Sequence, residues 1–389
     1  MSKPESLPTL EDLGDLKGKK VLVRSDLNVP ITVKTFDGEE VCEIGDDFRL
    51  RQSLATLYFL TENGAEVTVM SHLGRPKGAY VPKCSIDPIR KWLQKFIPEI
   101  NVMENLRFDP REEKNSEDFV LELIKGQDYF VNDAFGVSHR EHASVVGPPK
   151  YLKSAAGRLL KTEVDTLLRM LHDPSSPFVV IVGGAKISEK LGVLKALSKV
   201  ADVILVGGGM AYTFLAACGH GIGDSLFEKD RVEDCKELLE SNAKVMIPTD
   251  VIAMSKEGEI CREEKGGQVI AVDFEVGNDI PVGFKGLDIG LKTTETYDEV
   301  IAGASLVFWN GPMGVFEDPR FRFGTKQIAL SVANCKGYTV VGGGDSAKAL
   351  ADLDMEGAAD YVSTGGGASL ELLEFGDLPG LKALRKWSK

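Results

Sequence analysis

Short apolar runs and longer amphipathic stretches alternate along the whole chain. In the first half, Lys20–Arg24, Glu66–Met70, Asn101–Glu104 and Tyr129–Asn132 read as strands, short and rich in β-branched residues. Helical spacing recurs near Arg49–Asn63, Pro88–Phe96 and Ser116–Ile124. In the second half the strand runs are Phe178–Val182, Val203–Val206, Lys244–Ile247, Leu306–Trp309, Thr339–Val341 and Tyr361–Ser363. Strands that alternate with helices predict an α/β fold of parallel sheets with helical crossovers, built twice over. A helical pattern at Lys161–Leu171 lies between the halves, followed by the connector Asp173-Pro174-Ser175-Ser176-Pro177. The domain boundary is expected there. The polar, glycine-rich stretch Gly258–Asp288 reads as small strands and loops.

Composition narrows the class. A chain of 389 residues exceeds what one core usually supports, so two domains are expected. Hydrophobic content of 43% and charged content of 27% fit a soluble globular protein. The net charge of −13 repels nucleic acid and anionic membranes, so neither is expected as a partner. The cysteines Cys42, Cys84, Cys218, Cys235, Cys261 and Cys335 form no C-x-x-C pair. They read as reduced thiols of a cytosolic protein, with no zinc site. Met1–Ser6 lacks an apolar signal core. Val203–Gly219 carries no charge, but its glycines and modest length argue for a buried strand, a loop and a packed helix rather than a membrane span.

Three glycine triplets follow strand runs: Gly207-Gly208-Gly209, Gly342-Gly343-Gly344 and Gly365-Gly366-Gly367. Without Cβ, such a backbone admits a ligand closely, and a helix start behind it offers unpaired N–H groups to an anion. Tight turns and close helix–strand packing explain any single triplet equally well. Neither a Walker A pattern nor a clean G-x-G-x-x-G is present.

Ligands of open parallel sheets bind beyond the carboxyl ends of the strands. In the first half those ends carry Arg24-Ser25-Asp26-Leu27-Asn28, Ser71-His72-Leu73-Gly74-Arg75, Asn105-Leu106-Arg107 and Ser138-His139-Arg140, with Arg49 opening a helix. Arginine forks bind phosphate and carboxylate bidentately, although each could instead pair with a surface acid. In the second half, Gly183-Gly184-Ala185-Lys186-Ile187-Ser188-Glu189-Lys190 places two lysines at i and i+4, expected on one face of a helix's first turns. Asp345 fits an N-cap or a metal site beside phosphates, and Glu317 a surface acid or a ribose contact. No nucleophile with a base stands out. Direct phosphoryl transfer needs none, because positioning and charge stabilisation carry it.

The segments VRSDLNVP, SHLGRP, ENLRF, SHREHAS, GGAKISEK, GGGMAYTF, GLDIG, WNGPMGVFE, GGGDS and STGGGASLELLE together resemble the phosphoglycerate kinase family, in its order, from about residue 20 to 375. The resemblance implies two Rossmann-like domains joined by a hinge helix. Residues 1–170, with the tail 376–389 returning to them, would bind phosphoglycerate; residues 171–375 would bind nucleotide. It implies Asp26, Asn28, Arg49, His72, Arg75, Arg107 and Arg140 in the phosphoglycerate site. Arg49 and Lys186 would face the transferred group, and Lys190 the nucleotide phosphates. Gly207, Gly208, Gly209 and Gly286 would help form the nucleotide pocket. Asn310, Gly342, Gly343, Gly344 and Ser346 would lie at the phosphates, Glu317 at the ribose, and Asp345 on Mg2+. Gly365, Gly366 and Gly367 would start the helix that meets the transferred group, with Gly343 and Gly366 counted as catalytic. ATP and ADP would be the nucleotides, and the enzyme a cytoplasmic monomer. Leu27, Glu141, Leu291 and Ser346 depart from the usual pattern, and the connection Ile31–Ile44 is longer than usual. A kinase forming another acyl phosphate would leave surplus arginines. A closing binding protein would need neither Lys186 nor Asp345, and a nicotinamide dehydrogenase would want the missing glycine fingerprint.

Overall fold

A computed structural model describes residues 4–36, 39–263 and 265–387. The chain divides into two compact units, Met1–Leu168 with Phe375–Lys389, and Arg169–Glu374. The division falls inside the helix Arg158–His172, a few residues before the proline–serine connector.

Unit one is built on five parallel strands. They are β1 (Lys20–Ser25), β4 (Glu66–Met70), β5 (Asn101–Val102), β6 (Tyr129–Asp133) and β7 (Lys153–Ala156), in the order β5-β4-β1-β6-β7. The sheet is buried on both faces, so its central strand needs an unbroken apolar run, and Val21 through Ser25 are all buried. Helix Phe48–Glu62 buries Leu50, Leu57 and Leu60 against it. Sequence reading placed a plain connection at Ile31–Ile44. The structure has an antiparallel ribbon of β2 (Ile31–Phe36) and β3 (Glu39–Ile44), with residues 37 and 38 outside the described residues. Its alternating polar residues hid a ribbon that lies outside the main sheet. Helix Pro379–Trp387 buries Leu381 and Leu384 in this unit, and the Gly380 N–H donates to the Ser138 carbonyl at 2.9 Å.

Unit two has six parallel strands: β8 (Phe178–Val182), β9 (Val203–Val206), β10 (Lys244–Met246), β14 (Leu306–Asn310), β15 (Tyr338–Gly342) and β16 (Tyr361–Val362). Their order is β10-β9-β8-β14-β15-β16. All five residues of β8 and of β14 are buried. The glycine-rich stretch contributes to a separate antiparallel sheet of β11 (Asp250–Ser255), β12 (Val269–Asp273) and β13 (Phe284–Ile289). The uncharged stretch from Val203 resolves into β9, a turn and helix Ala211–Ala217. No helix among the described residues is long and apolar enough to cross a membrane.

Asp133 ends β6 fully buried, beneath the first turn of helix Arg158–His172, where its Oδ1 accepts the Leu160 N–H at 3.1 Å. Burial pushes its carboxyl up to about 7, against the pull of Thr56, Leu160 and Leu159. A raised carboxyl binds its proton more tightly folded than unfolded. Its stabilising contribution is full below the ordinary value of 3.8 and is lost as pH rises through about 7. Relative to Asp133→Asn, wild type should therefore lose up to roughly 4 kcal/mol between those limits, at about 1.4 kcal/mol per unit. Denaturant unfolding of both proteins across that range checks it, and parallel curves would contradict it.

Candidate active site

In each unit the strand order reverses at one point, between β1 and β6 and between β8 and β14. Such switch points open a crevice at the carboxyl ends of strands.

In unit one the crevice follows β1. Asp26 is 9% exposed, and its carboxylate pairs with the Arg49 guanidinium and accepts the Asn28 N–H at 3.3 Å. Burial alone would raise this carboxyl; Arg49 and Arg24, with the Asn28 N–H, outweigh it and hold it below its ordinary value. His72 is buried, and burial drives its imidazole down to about 3 against the opposing pull of Asp26. The ring is therefore neutral at working pH. Asn28 accepts the Gly74 N–H on its side-chain oxygen at 2.8 Å, which ties the first strand-end loop to the second. Arg107 donates to the Gly74 carbonyl at 2.9 Å and lies 3.3 Å from Glu113. Arg75 and Arg140 are exposed, and neither has an ion-pair partner among the described residues. Six of the seven residues expected at the acid site therefore lie in the segments that follow these strand ends, and Arg49, in the first turn of helix Phe48–Glu62, reaches Asp26 there. Two of the site's guanidinium groups are open to an anion and two are already anchored.

Unit two carries the glycine loops. Gly183 to Lys190 forms a loop, and helix Leu191–Leu197 begins only after it. The expectation of two lysines on a helical face is thus corrected. Lys186 projects exposed from the loop. Lys190 folds back, and its Nζ donates to the carbonyls of Gly183 at 2.8 Å and Asn310 at 3.0 Å. Its ammonium binds the loop ends of β8 and β14 together rather than opposing a helix dipole. Burial lowers it to about 8, with Asp345 and Glu189 resisting. Ser346 is equally committed: its hydroxyl accepts the Gly311 N–H at 2.6 Å and donates to the Gly342 carbonyl at 2.9 Å. Asn310 donates to the same carbonyl at 2.7 Å, while its buried side-chain oxygen has no partner. Asp345 stands exposed in the first turn of helix Gly344–Asp352. Glu317 pairs with Lys348 at 3.4 Å on the surface.

The triplets differ in what surrounds them. A Cβ on Gly208 would lie 2.5 Å from the Gly184 nitrogen, and one on Gly209 would lie 2.8 Å from the Ala185 carbonyl oxygen. Gly207 is closed off by Met313, and Gly286, within β13, by the Tyr212 ring. Packing alone accounts for glycine at Gly208, Gly209 and Gly286, while at Gly207 the flexible end of Met313 could shift. Gly344, Gly366 and Gly367 face open space, with nothing within 4 Å of a built Cβ. Gly366 needs glycine for its φ of +53°, whereas at Gly344 and Gly367 neither a positive φ nor a neighbouring atom requires it.

The supporting roles of several residues, Arg24 and Asn105 at strand ends among them, were not legible in the sequence. Arg24 is fully buried and donates to Ser144 at 2.9 Å; Ser144 donates to the buried Glu112 at 2.6 Å. Asn105 clamps the carbonyls of Leu73 and Cys84 at 2.7 and 2.8 Å. Asp288, raised by burial to about 8, accepts the N–H groups of Ile289 and Gly324 at 2.9 and 2.7 Å. A charge at the end of an apolar strand was the one available signal for Arg24.

Among the described residues, no group of three or more His, Cys, Asp or Glu side chains is placed to hold a metal by itself. A lone Asp345 still fits Mg2+, which typically takes one or two carboxylates and completes its shell with phosphate and water. Both strand-end crevices gather groups able to hold an anion, and phosphoryl transfer is a reaction for which positioning and charge suffice. That makes this a phosphotransferase. The family model for phosphoglycerate kinase matches residues 10–103 and 97–375. The phosphoglycerate kinase of Roseiflexus castenholzii is 43% identical over 97% of this chain and 98% of its own, and that of Frankia casuarinae 44% over 97% and 99%. The structure of phosphoglycerate kinase from Coxiella burnetii superposes with TM-score 0.86 at 34% identity, covering 99% of this chain and 100% of that one. The chain belongs to the phosphoglycerate kinase family. Its reaction is the reversible glycolytic transfer of a phosphoryl group from 1,3-bisphosphoglycerate to ADP, giving 3-phosphoglycerate and ATP, with a carboxyl group as the acceptor in reverse.

Proposed function

We propose that the two units divide the substrates between them. Residues 1–170, with the tail, hold 3-phosphoglycerate through Asp26, Asn28, Arg49, His72, Arg75, Arg107 and Arg140; residues 171–375 hold the nucleotide. The observation that supports this is the unequal chemistry of the two strand-end crevices: exposed Arg75 and Arg140 in one, open Gly344, Gly366 and Gly367 with exposed Lys186 in the other. Arginine matches a small dianion, and unhindered helix starts match a polyphosphate chain.

In this reading Arg49 and Lys186 meet the transferred phosphoryl group as charge spreads over its oxygens. The helix starts at Gly343–Gly344 and Gly366–Gly367 add N–H groups there. Lys190 keeps the β8 and β14 loops in register while its third proton reaches the nucleotide phosphates. Asn310 lies beside the phosphates with its side-chain nitrogen on the Gly342 carbonyl, Ser346 fixes the loop behind it, and Glu317 exchanges Lys348 for a ribose hydroxyl. The acid's carboxylate is itself the nucleophile, so no general base is required. Transfer is in line, after closure about the helix Arg158–His172 has excluded water. Asp345 would hold Mg2+, which when bound neutralises charge on the nucleotide phosphates. The free thiols and net charge of −13 support a cytoplasmic monomer that acts on small molecules alone.

Asp345→Asn should weaken Mg–ADP binding by about tenfold or more, since loss of a carboxylate ligand removes a full charge from the metal's shell. 3-Phosphoglycerate affinity should stay near wild type. Calorimetric titration of each ligand checks this, and weakened 3-phosphoglycerate binding alone would overturn the assignment.

A further inference from the structure

The Nδ1 atom of His72 has two charged neighbours that want opposite things of it. Asp26 Oδ1, at 3.9 Å, would accept a proton from Nδ1, but the distance exceeds a hydrogen bond. Arg24 Nη2 lies at 3.2 Å. A guanidinium has five donors and no acceptor, so Nδ1 must present its lone pair. The remaining ring proton then sits on Nε2.

Arg24 cannot turn away from this contact. It is fully buried, with Nε donating to Ser144 at 2.9 Å and Nη1 to the Ser25 carbonyl. Ser144 is held in turn by Glu112, through its hydroxyl at 2.6 Å and its N–H at 3.0 Å. Glu112 is also buried and balances the guanidinium charge, with His142 Nδ1 at 3.8 Å. The charged groups that bear on His72 are Arg24 and Asp26 at the end of β1, Arg49 on helix Phe48–Glu62, and Arg107 beyond β5. Three of the four are cations, and the one carboxylate is occupied by Arg49.

We infer that Arg24 is a positioning residue: anchored through Ser144 to Glu112, it pins His72 by Nδ1 and makes it a neutral Nε2–H donor for 3-phosphoglycerate. This rests on the proposed place of His72 in the acid site. A neutral donor there gives a contact that does not titrate with the cell's pH. An imidazolium would tighten the site in acid and release the substrate as pH rose.

The test uses the full-length enzyme with 15N-labelled histidine. Long-range proton–nitrogen spectra assign the ring by comparison with His72→Gln. Wild type should show unprotonated Nδ1 and protonated Nε2, unchanged from about pH 5.5 to 8, well above the value near 3 at which the ring would charge. Arg24→Lys, also donor-only, should keep that pattern. The paired variant Arg24→Gln with Glu112→Gln, which leaves no unpaired buried charge, should lose it and titrate above the wild-type value, with burial still opposing the charged ring and Asp26 still favouring it. Its KM for 3-phosphoglycerate relative to wild type should rise about tenfold from the acid to the alkaline end, the scale of one hydrogen bond to a charged group, with kcat moving less. A protonated Nδ1 in wild type would overturn the inference by itself, even if no variant folded. So would a paired variant that kept both the tautomer and a flat KM ratio. If His72→Gln left the KM unchanged while Nδ1 remained pinned, the acid-site role of His72 would fall and the pinning would stand.

Discussion

Arg49→Ala should lower kcat by a factor of about 10² to 10³, the scale for removing one preorganised donor from a developing charge. Its structural consequence separates it from a simple loss of charge. Arg49 holds the carboxylate of Asp26, which is 9% exposed. Without it, burial would raise that carboxyl, now opposed by Arg24 and the Asn28 N–H. The variant should therefore lose stability as well, by roughly 1–3 kcal/mol after allowing for the 30% exposure of the arginine side chain. Lys186→Ala should lower kcat on the same scale and leave stability almost unchanged, because Lys186 projects exposed from its loop. Steady-state kinetics with denaturant unfolding of both variants makes the comparison. Wild-type kcat in both would remove them from the transferred group.

Gly208→Ala should be among the most damaging single substitutions in the chain. Its φ of +65° is strained for any residue with a side chain. The added carbon would lie 2.5 and 2.6 Å from the Gly184 nitrogen and oxygen and 2.9 Å from the Pro312 oxygen. All three are backbone atoms of loops that follow β8 and β14, so no side chain can swing aside. A loss of roughly 3 kcal/mol or more is expected, because overpacking and backbone strain act together. Gly344→Ala differs by one methyl group at a position with nothing within 4 Å. It should keep its stability, since alanine suits a helix start, and lose nucleotide affinity. Thermal unfolding and nucleotide titration of the pair would show it. Equal stability losses would mean that Gly344 is also a packing position.

The contrast between these glycines shows what sequence could and could not carry. All three triplets follow apolar runs and look alike as letters. Which of them is crowded depends on Met313, Pro312 and Gly184, brought in by strand order. Most strands of the two parallel sheets were legible because burial on both faces forces long apolar runs, as in Phe178–Val182, whereas the short edge strand β7, Lys153–Ala156, was missed. The ribbon β2–β3 was not, because neither strand joins the main sheet. The polar and basic residues at the strand ends could be listed from the apolar runs they follow, but their proposed role at an acid site came only from the family resemblance. The network behind them could not be read, since Arg24, Ser144 and Glu112 come from distant parts of the chain. The helical placing of Lys186 and Lys190 failed for a local reason. Spacing of i and i+4 fits a helix, yet Lys190 finds two carbonyls that hold the segment as a loop.

The central claim, that acid and nucleotide belong to different units, meets its most direct test in four calorimetric titrations. Arg75→Ala with Arg140→Ala in one protein, and Gly344→Val in another, would each be titrated with 3-phosphoglycerate and with Mg–ADP. The arginine variant should lose 3-phosphoglycerate affinity by at least tenfold and keep Mg–ADP affinity, and the glycine variant should do the reverse. Loss of both ligands in either variant, or the opposite pairing, would contradict the division.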